Sequence, residues 1–472
     1  MNTVVVVGAG ASGMMAAVTA SRQGAKVLLL EHGDLPGRKI LATGNGKCNY
    51  TNEYMESDCF RGDRGGLVQA VLEQFHQNDA IAFFQELGVL PARKNGYVYP
   101  VSGQAQTIQE AFLTEIGEGN IQLQTGVEVT DIRREKNGFQ IRLAEERCEK
   151  KEGGIRSYRN LKGDRVILAC GSKAAPHFGS DGSGYVLAEK LGHNIVPVVP
   201  ALVQLRSEGC FLKHWAGVRV WARVQLLING KTVCADTGEV QLTDYGISGI
   251  PVFQVSRYGA YGLLEKNQVQ AELCFLPGYS KEQVTVLLQE RKKCHPARSC
   301  SQLLAGMLHG RLIPVLLDLA GIEKGNDHWS AQSEGSKNEG GKKKKEKRAA
   351  AFASLRQGEP HGRRAAELSD ADLNRLADVL TGLMIPITGV NSFDQAQVCA
   401  GGVDTAQVTE HMESRLVKGL YFAGEILDVD GMCGGYNLQW AWSTGWIAGI
   451  YAASEKPGSA QNRGHVLPPV RK

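Results

Sequence analysis

The stretch Val4-Val5-Val6-Val7-Gly8-Ala9-Gly10-Ala11-Ser12-Gly13, with Val27-Leu28-Leu29-Leu30-Glu31 downstream, decides the fold. Four β-branched residues in a row read as a strand buried on both faces, the habit of a parallel sheet covered by helices. The glycines that follow have separate jobs. Gly8 permits the tight turn, Gly10 lets backbone approach a pyrophosphate, and Gly13 lets the next helix, expected over residues 14–22, pack on the strand. Ala9, Ala11 and Ser12 complete a turn whose N–H groups, at a helix N-terminus, face the phosphates. Glu31 closes the second strand where a carboxylate accepts hydrogen bonds from an adenosine ribose. A lone G-x-G-x-x-G is weak; here the strand, the helix and the trailing acid all stand in order. The pattern predicts a dinucleotide site and favours FAD.

With 472 residues, 43% of them apolar, the chain is long enough for two or three domains with cores of their own. A formal net charge of +4 leaves no global footprint for nucleic acid or a membrane surface. No run approaches the roughly 18 apolar residues of a membrane span, and residues 4–7 lack the basic flank of a signal peptide. Eleven cysteines, odd in number and without a C-x-x-C pair, argue for reduced thiols. They predict a cytoplasmic enzyme with neither a disulfide framework nor a metal site.

Apolar spacing predicts one helix over residues 67–87 and strands over 127–132 and 139–143, with Val129 on the first strand a cofactor contact. A buried strand at 165–170 ends at Cys170 and Gly171, which meet the cofactor at the strand's carboxyl end. Composition then shifts, dividing the chain into a first dinucleotide-binding part (1–195), an antiparallel β-domain (196–279) and a helical insertion (280–380). A return strand (381–395) and a second dinucleotide-binding part (396–472) follow. Within the insertion, 324–362 is polar and carries a lysine-rich run at 340–348. With no aromatics interleaved for base stacking, this reads as a solvated loop, and a nucleic-acid partner is not expected. Ser369 caps the helix that restarts afterwards.

Two further segments carry chemistry. Gly37-Arg38-Lys39-Ile40-Leu41-Ala42-Thr43-Gly44-Asn45-Gly46-Lys47-Cys48-Asn49 follows Glu31, where the chain crosses back over a bound dinucleotide. Arg38 and Lys39 neutralise pyrophosphate charge, while Gly44, Asn45 and Gly46 pass close to a flat ring. Flavoprotein disulfide reductases place two cysteines four residues apart here; this loop holds only Cys48, which reads as packing. Later, Gly424-Glu425 precedes Asp428-Val429-Asp430-Gly431-Met432-Cys433-Gly434-Gly435-Tyr436-Asn437-Leu438-Gln439. Glu425 suits a ribityl hydroxyl. A Gly434-Gly435 turn opening a helix at Tyr436, Asn437 and Leu438 aims N–H groups at the flavin edge where charge accumulates on reduction. Asp428 and Asp430 read as acids, ribityl ligands or turn formers; Trp440, Trp442 and Trp446 read as core or a substrate wall.

These segments, with Asp244-Tyr245-Gly246-Ile247-Ser248-Gly249 and Leu420-Tyr421-Phe422-Ala423-Gly424-Glu425, resemble a bacterial family of NAD(P)/FAD-dependent oxidoreductases, the BaiN-type and aminoacetone oxidase-like flavoproteins. The resemblance implies an α/β fold in which a discontinuous Rossmann-type FAD domain carries an inserted β-barrel and a small helical domain. It implies FAD as cofactor and NADH or NADPH as transient reductant. The implied substrate is a small molecule with an activated C=C bond, such as an oxo-steroid or bile-acid intermediate, protonated by Asp430 or Tyr436. An amine oxidase using O2, an RNA-modifying flavoprotein and a flavin electron carrier are the alternatives. Where relatives often have threonine and glycine, this chain has Cys170 and Ser172.

Overall fold

The computed structural model describes residues 2–62, 66–146, 156–323 and 362–454. They divide into two compact units, one spanning the described parts of Met1–Leu202 and Ser392–Lys472, the other of Val203–Asn391.

In the first unit, the opening sequence gives β1 (Thr3–Val7), α1 (Ala11–Arg22) and β2 (Lys26–Leu30), and the later chain adds β3 (Ile121–Gln124), β4 (Arg165–Leu168) and β5 (Leu420–Phe422). All are parallel, in the order β5-β4-β1-β2-β3. The valine run lies at the centre because β1 pairs on both sides, Val4 opposite Val27 and Arg165, Val7 opposite Leu30 and Leu168. The last helix, α2 (Tyr436–Ala453), packs along α1 and completes this Rossmann-type layer. Smaller sheets flank it: Thr51–Asn52 pairs Tyr97–Pro100, and Phe60–Arg61 pairs Asp430–Gly431.

The expected single helix over 67–87 is two, Leu67–Gln74 and Gln77–Glu86. The apolar spacing runs through the break, but Phe75 is extended (φ −151°). His76 then opens a new N-terminus, its N–H donating to the Asp79 carboxylate at 2.7 Å.

The second unit is a closed barrel of six antiparallel strands: Leu205–Ser207, Gly246–Gly249, Lys231–Leu242, Arg219–Ile228, Val269–Cys274 and Leu383–Val390. Helices Lys281–Cys294, Ile313–Leu319 and Asp370–Gly382 share its apolar core. Two expectations change. The β-domain also contains a helix, Ile250–Leu264, whose buried Val252, Val255, Ser256 and Gly259 follow helical spacing despite the β-branched composition. The boundary falls after Leu202, because Ile195–Ala201 pairs antiparallel with Val398–Val403 inside the first unit. The lysine-rich run at 340–348 lies outside the described residues. Among those described, no helix is long and apolar enough to cross a membrane.

Candidate active site

The phosphate end is built by the β1–α1 turn. Gly8 has φ of +98°, and a Cβ there would lie 2.5 Å from the Ala169 carbonyl oxygen, so only glycine fits between β1 and β4. A Cβ on Gly13 would overlap the Gly8 carbonyl, whereas one on Gly10 would meet nothing within 4 Å. Gly10 thus leaves an open face, and no side chain caps the α1 N-terminus beside it. The N–H groups of Ala11 and Ser12 begin that helix at its positive end. Glu31 is tied to the same turn: Oε2 accepts from Ala9 N–H and Oε1 from Gly33 N–H, both at 2.8 Å. Beside it, the strand carrying Val129 shifts register between Val129 and Asp131, leaving the ladder interrupted there.

A polar knot joins this end to the rest of the site. Glu425 accepts from Lys39 Nζ at 2.8 Å, Ser172 Oγ at 2.7 Å and Cys399 N–H at 3.0 Å. Lys39 is therefore directed at Glu425, while Arg38 donates to the His177 carbonyl at 3.1 Å. Gly424 admits Ser12 against its backbone, and Ser12 Oγ donates to the Ala423 carbonyl at 3.1 Å. Gly44 and Asn45 have positive φ (57° and 55°) and are exposed together with Gly46. Cys170, with Gly171 after it, carries a thiol that burial pushes up to about 12. Cys48 is fully buried, its thiol likewise near 12 through burial, which suits packing.

The ring end forms where α2 begins. Gly435 has φ of +94°, and a Cβ there would lie 2.7 Å from the Thr51 carbonyl oxygen. Asn52 Nδ2 donates to the Gly434 carbonyl at 2.9 Å, and Thr51 Oγ1 to Gln439 Oε1 at 2.7 Å. Asn437 braces the turn from inside, accepting from Gly431 N–H at 2.8 Å and donating to the Gly431 carbonyl at 2.9 Å. Leu438 packs against the core. No side chain caps this helix either, so its first N–H groups remain for a ligand. Tyr436 is buried, edge-on to Phe60 at 6.1 Å between ring centres, with the Cys59 thiol near its phenol. Burial, then the Cys59 thiol, push that phenol well above the usual tyrosine range. Asp430 is buried on the strand pairing Phe60–Arg61. Asp428 is buried and accepts from Gly401 N–H at 3.1 Å, on the strand Val398–Val403. Trp440 and Trp442 are core, and Trp446 stacks on Phe75.

The family model of the HI0933-like protein Rossmann domain matches residues 2–451. The chain belongs to that family. Among curated relatives, this HI0933-like protein is 40% identical over 460 residues to the 3-dehydro-bile acid Δ(4,6)-reductase of Clostridium scindens, covering 97% of this chain and all of that one. It is 29% identical over 443 residues to the ribosomal RNA dihydrouridine synthase of Escherichia coli, covering 94% and 96% of the two chains. Among solved structures it is similar to the 3-ketosteroid-Δ4-(5α)-dehydrogenase of Rhodococcus jostii RHA1, with TM-score 0.42, 14% identity and 96% of each chain covered.

This HI0933-like protein is an FAD-dependent oxidoreductase, and its residues fit that cofactor at both ends. Two uncapped helix N-termini open on glycine, where the sequence analysis expects a pyrophosphate and a flavin edge. The sequence reading did not single out Asn52, Cys59 or Phe60, and it noted Ser172 only as a departure from relatives. Asn52 lies three residues past the loop quoted at 37–49, so extending that segment finds it. Cys59 and Phe60 carry no local signal; the strand pair with Asp430–Gly431 alone brings them to α2.

Proposed function

We propose that this protein takes hydride from NADH or NADPH and reduces a C=C bond conjugated with a carbonyl, in a small apolar substrate of the oxo-steroid class. FAD supplies the hydride acceptor and donor. The chain's part is to bind, to exclude water and to place one proton. The α1 N-terminus at residues 8–13 holds the pyrophosphate, Glu31 the ribose, and Val129, Cys170 and Gly171 the adenosine side. The Glu425 knot, with Lys39, would hold the ribityl chain, and the N–H groups at 435–438 would hold the ring. Tyr436 donates a proton to the α-carbon. The observation that carries this reading is its phenol: buried against Phe60 at an uncapped helix N-terminus and kept protonated by that burial. Asp430, buried on the adjacent strand, is the other candidate donor.

The relatives supply the substrate class. The name of the C. scindens enzyme describes reduction of a dehydro-bile acid, and dihydrouridine, in the name of the E. coli one, is uridine with its conjugated ring C=C reduced. One bond change serves both, and the 40% identity to the C. scindens enzyme against 29% to the E. coli one favours the steroid. A cytoplasmic setting suits the free cysteines found among the described residues.

The test is anaerobic. NADH or NADPH should bleach the yellow protein, and a 3-oxo-4,6-diene steroid should restore the colour with loss of one C=C bond. Bleaching by neither nucleotide sinks the reductase. Reoxidation by uridine-containing RNA, with the steroid inert, moves the substrate to RNA.

A further inference from the structure

The turn that opens α2 holds two glycines in succession, and glycine by itself does not decide which way the peptide between them points. Gly434 has φ of +131° and Gly435 of +94°. A half-turn of that peptide would carry Gly435 to the negative side of φ, which glycine adopts about as readily. One orientation presents the peptide's N–H to the space in front of the helix, the other its carbonyl. The C=O and N–H of a planar trans peptide point in opposite directions, so a bond to one of them fixes the other.

Asn52 makes that bond. Its Nδ2 donates to the Gly434 carbonyl at 2.9 Å, which turns the Gly435 N–H away from Asn52. The amide's own direction is set in turn, because its Oδ1 accepts from the Tyr54 N–H at 3.1 Å, and reversing it would lose both bonds. Asn52 is buried, and its backbone is held on both flanks. Thr51 and Asn52 pair with Val98 and Tyr97, and Glu53 N–H donates to the Gly96 carbonyl at 2.8 Å. On the other side, Trp442 Nε1 donates to the Tyr50 carbonyl at 2.9 Å. Asn437 holds the Gly431 end of the loop, and Asn52 holds the Gly434 end.

We propose that Asn52 is a positioning residue: it locks the Gly434–Gly435 peptide with the Gly435 N–H towards the flavin ring and so raises the flavin's reduction potential. This rests on the reading of the N–H groups at 435–438 as ring contacts. Reduction adds negative charge to the N1–C2=O edge of the ring. A donor fixed at that edge stabilises the reduced form more than the oxidised one, and a carbonyl turned to the same edge does the reverse. Asn52 acts through the peptide and takes no part in the bond changes. What it governs is how far NADH or NADPH drives the flavin to its reduced form.

Two variants of the full-length protein test this. N52L fills the space of the asparagine without a donor, and N52A removes the side chain beyond Cβ. In crystal structures of both without FAD, the Gly434 carbonyl should be turned away from residue 52, because a half-buried carbonyl left facing an apolar side chain has no partner. The FAD-loaded proteins are then equilibrated with a dye of known potential. At a given potential the ratio of reduced to oxidised flavin should fall on the order of tenfold in both variants, about 30 mV for a two-electron couple. A loss of packing alone would move N52A and spare N52L. A carbonyl that keeps its wild-type direction in both variants overturns the role of Asn52 and leaves the ring reading standing. A carbonyl that turns while the potential stays at the wild-type value overturns instead the placement of the ring at 435–438.

Discussion

As the proposed proton donor, Tyr436 acts only while protonated, and burial raises its pKa, so the sign of its pH dependence follows. The protonated, active form persists past the value of about 10 at which an ordinary tyrosine ionises. The rate of substrate reduction should therefore hold up to alkaline pH and fall only above that point. Y436F should lower the rate about 100-fold or more, read as anaerobic reoxidation of the reduced protein. A second carboxyl sets the acid limit of the fold. The Ser369 N–H and hydroxyl, with Arg363, hold Asp372 at about 2, against an ordinary 3.8. Its folded value lies below its unfolded one, so its stabilisation is present above about pH 4 and is lost as the pH falls towards 2. In D372N the melting temperature should start lower near neutral pH and fall less over that acid window. Ser369, Glu31 and Glu425 were legible as residues because caps and strand-ending acids have fixed local spacing. Cys59 was not, since its partner lies on an element hundreds of residues away.

Among the elements, the α1–α2 contact shows what local pattern conveys and what it omits. The tryptophans at 440, 442 and 446 announce a buried helix, and α2 is buried nearly all round. The small residues between them decide how close it comes. A Cβ on Gly445 would lie 2.5 Å from the Ser12 carbonyl, and one on Gly449 2.6 Å from the Ala16 carbonyl. G449V should cost about 1–3 kcal/mol of unfolding free energy, because both faces of the contact are backbone and neither can yield. Chemical denaturation measures it. Sequence spacing failed in two elements for opposite reasons. At 67–87 an unbroken apolar stripe hid a break made by one extended residue and a histidine N-terminus. At Ile250–Leu264 the helical stripe was present, but valine, isoleucine and aromatic residues gave it the composition of a strand.

At the level of the whole molecule, the Rossmann-type unit is made from both ends of the chain and the barrel unit from its middle. The fold class was readable because the first strand, turn and acid fix a parallel sheet. The boundary at 202 was not, because Ile195–Ala201 finds its partner only at Val398–Val403. FAD contacts drawn from the first unit alone should stabilise that unit alone. At a hundredfold excess over its dissociation constant the gain is about 2.7 kcal/mol. Calorimetry with and without FAD should show one transition rising and the other staying in place; a joint shift of both would contradict the assignment. The bond from Ser12 to Ala423 spans 411 residues. On a ribosome adding roughly 5–20 residues per second, the phosphate turn waits some 20–80 seconds for the segment that completes its site. The contiguous barrel can close during that interval. Flavin capture therefore waits for the second part of the split unit, and a chain stalled after residue 391 would carry the glycine turn yet remain colourless.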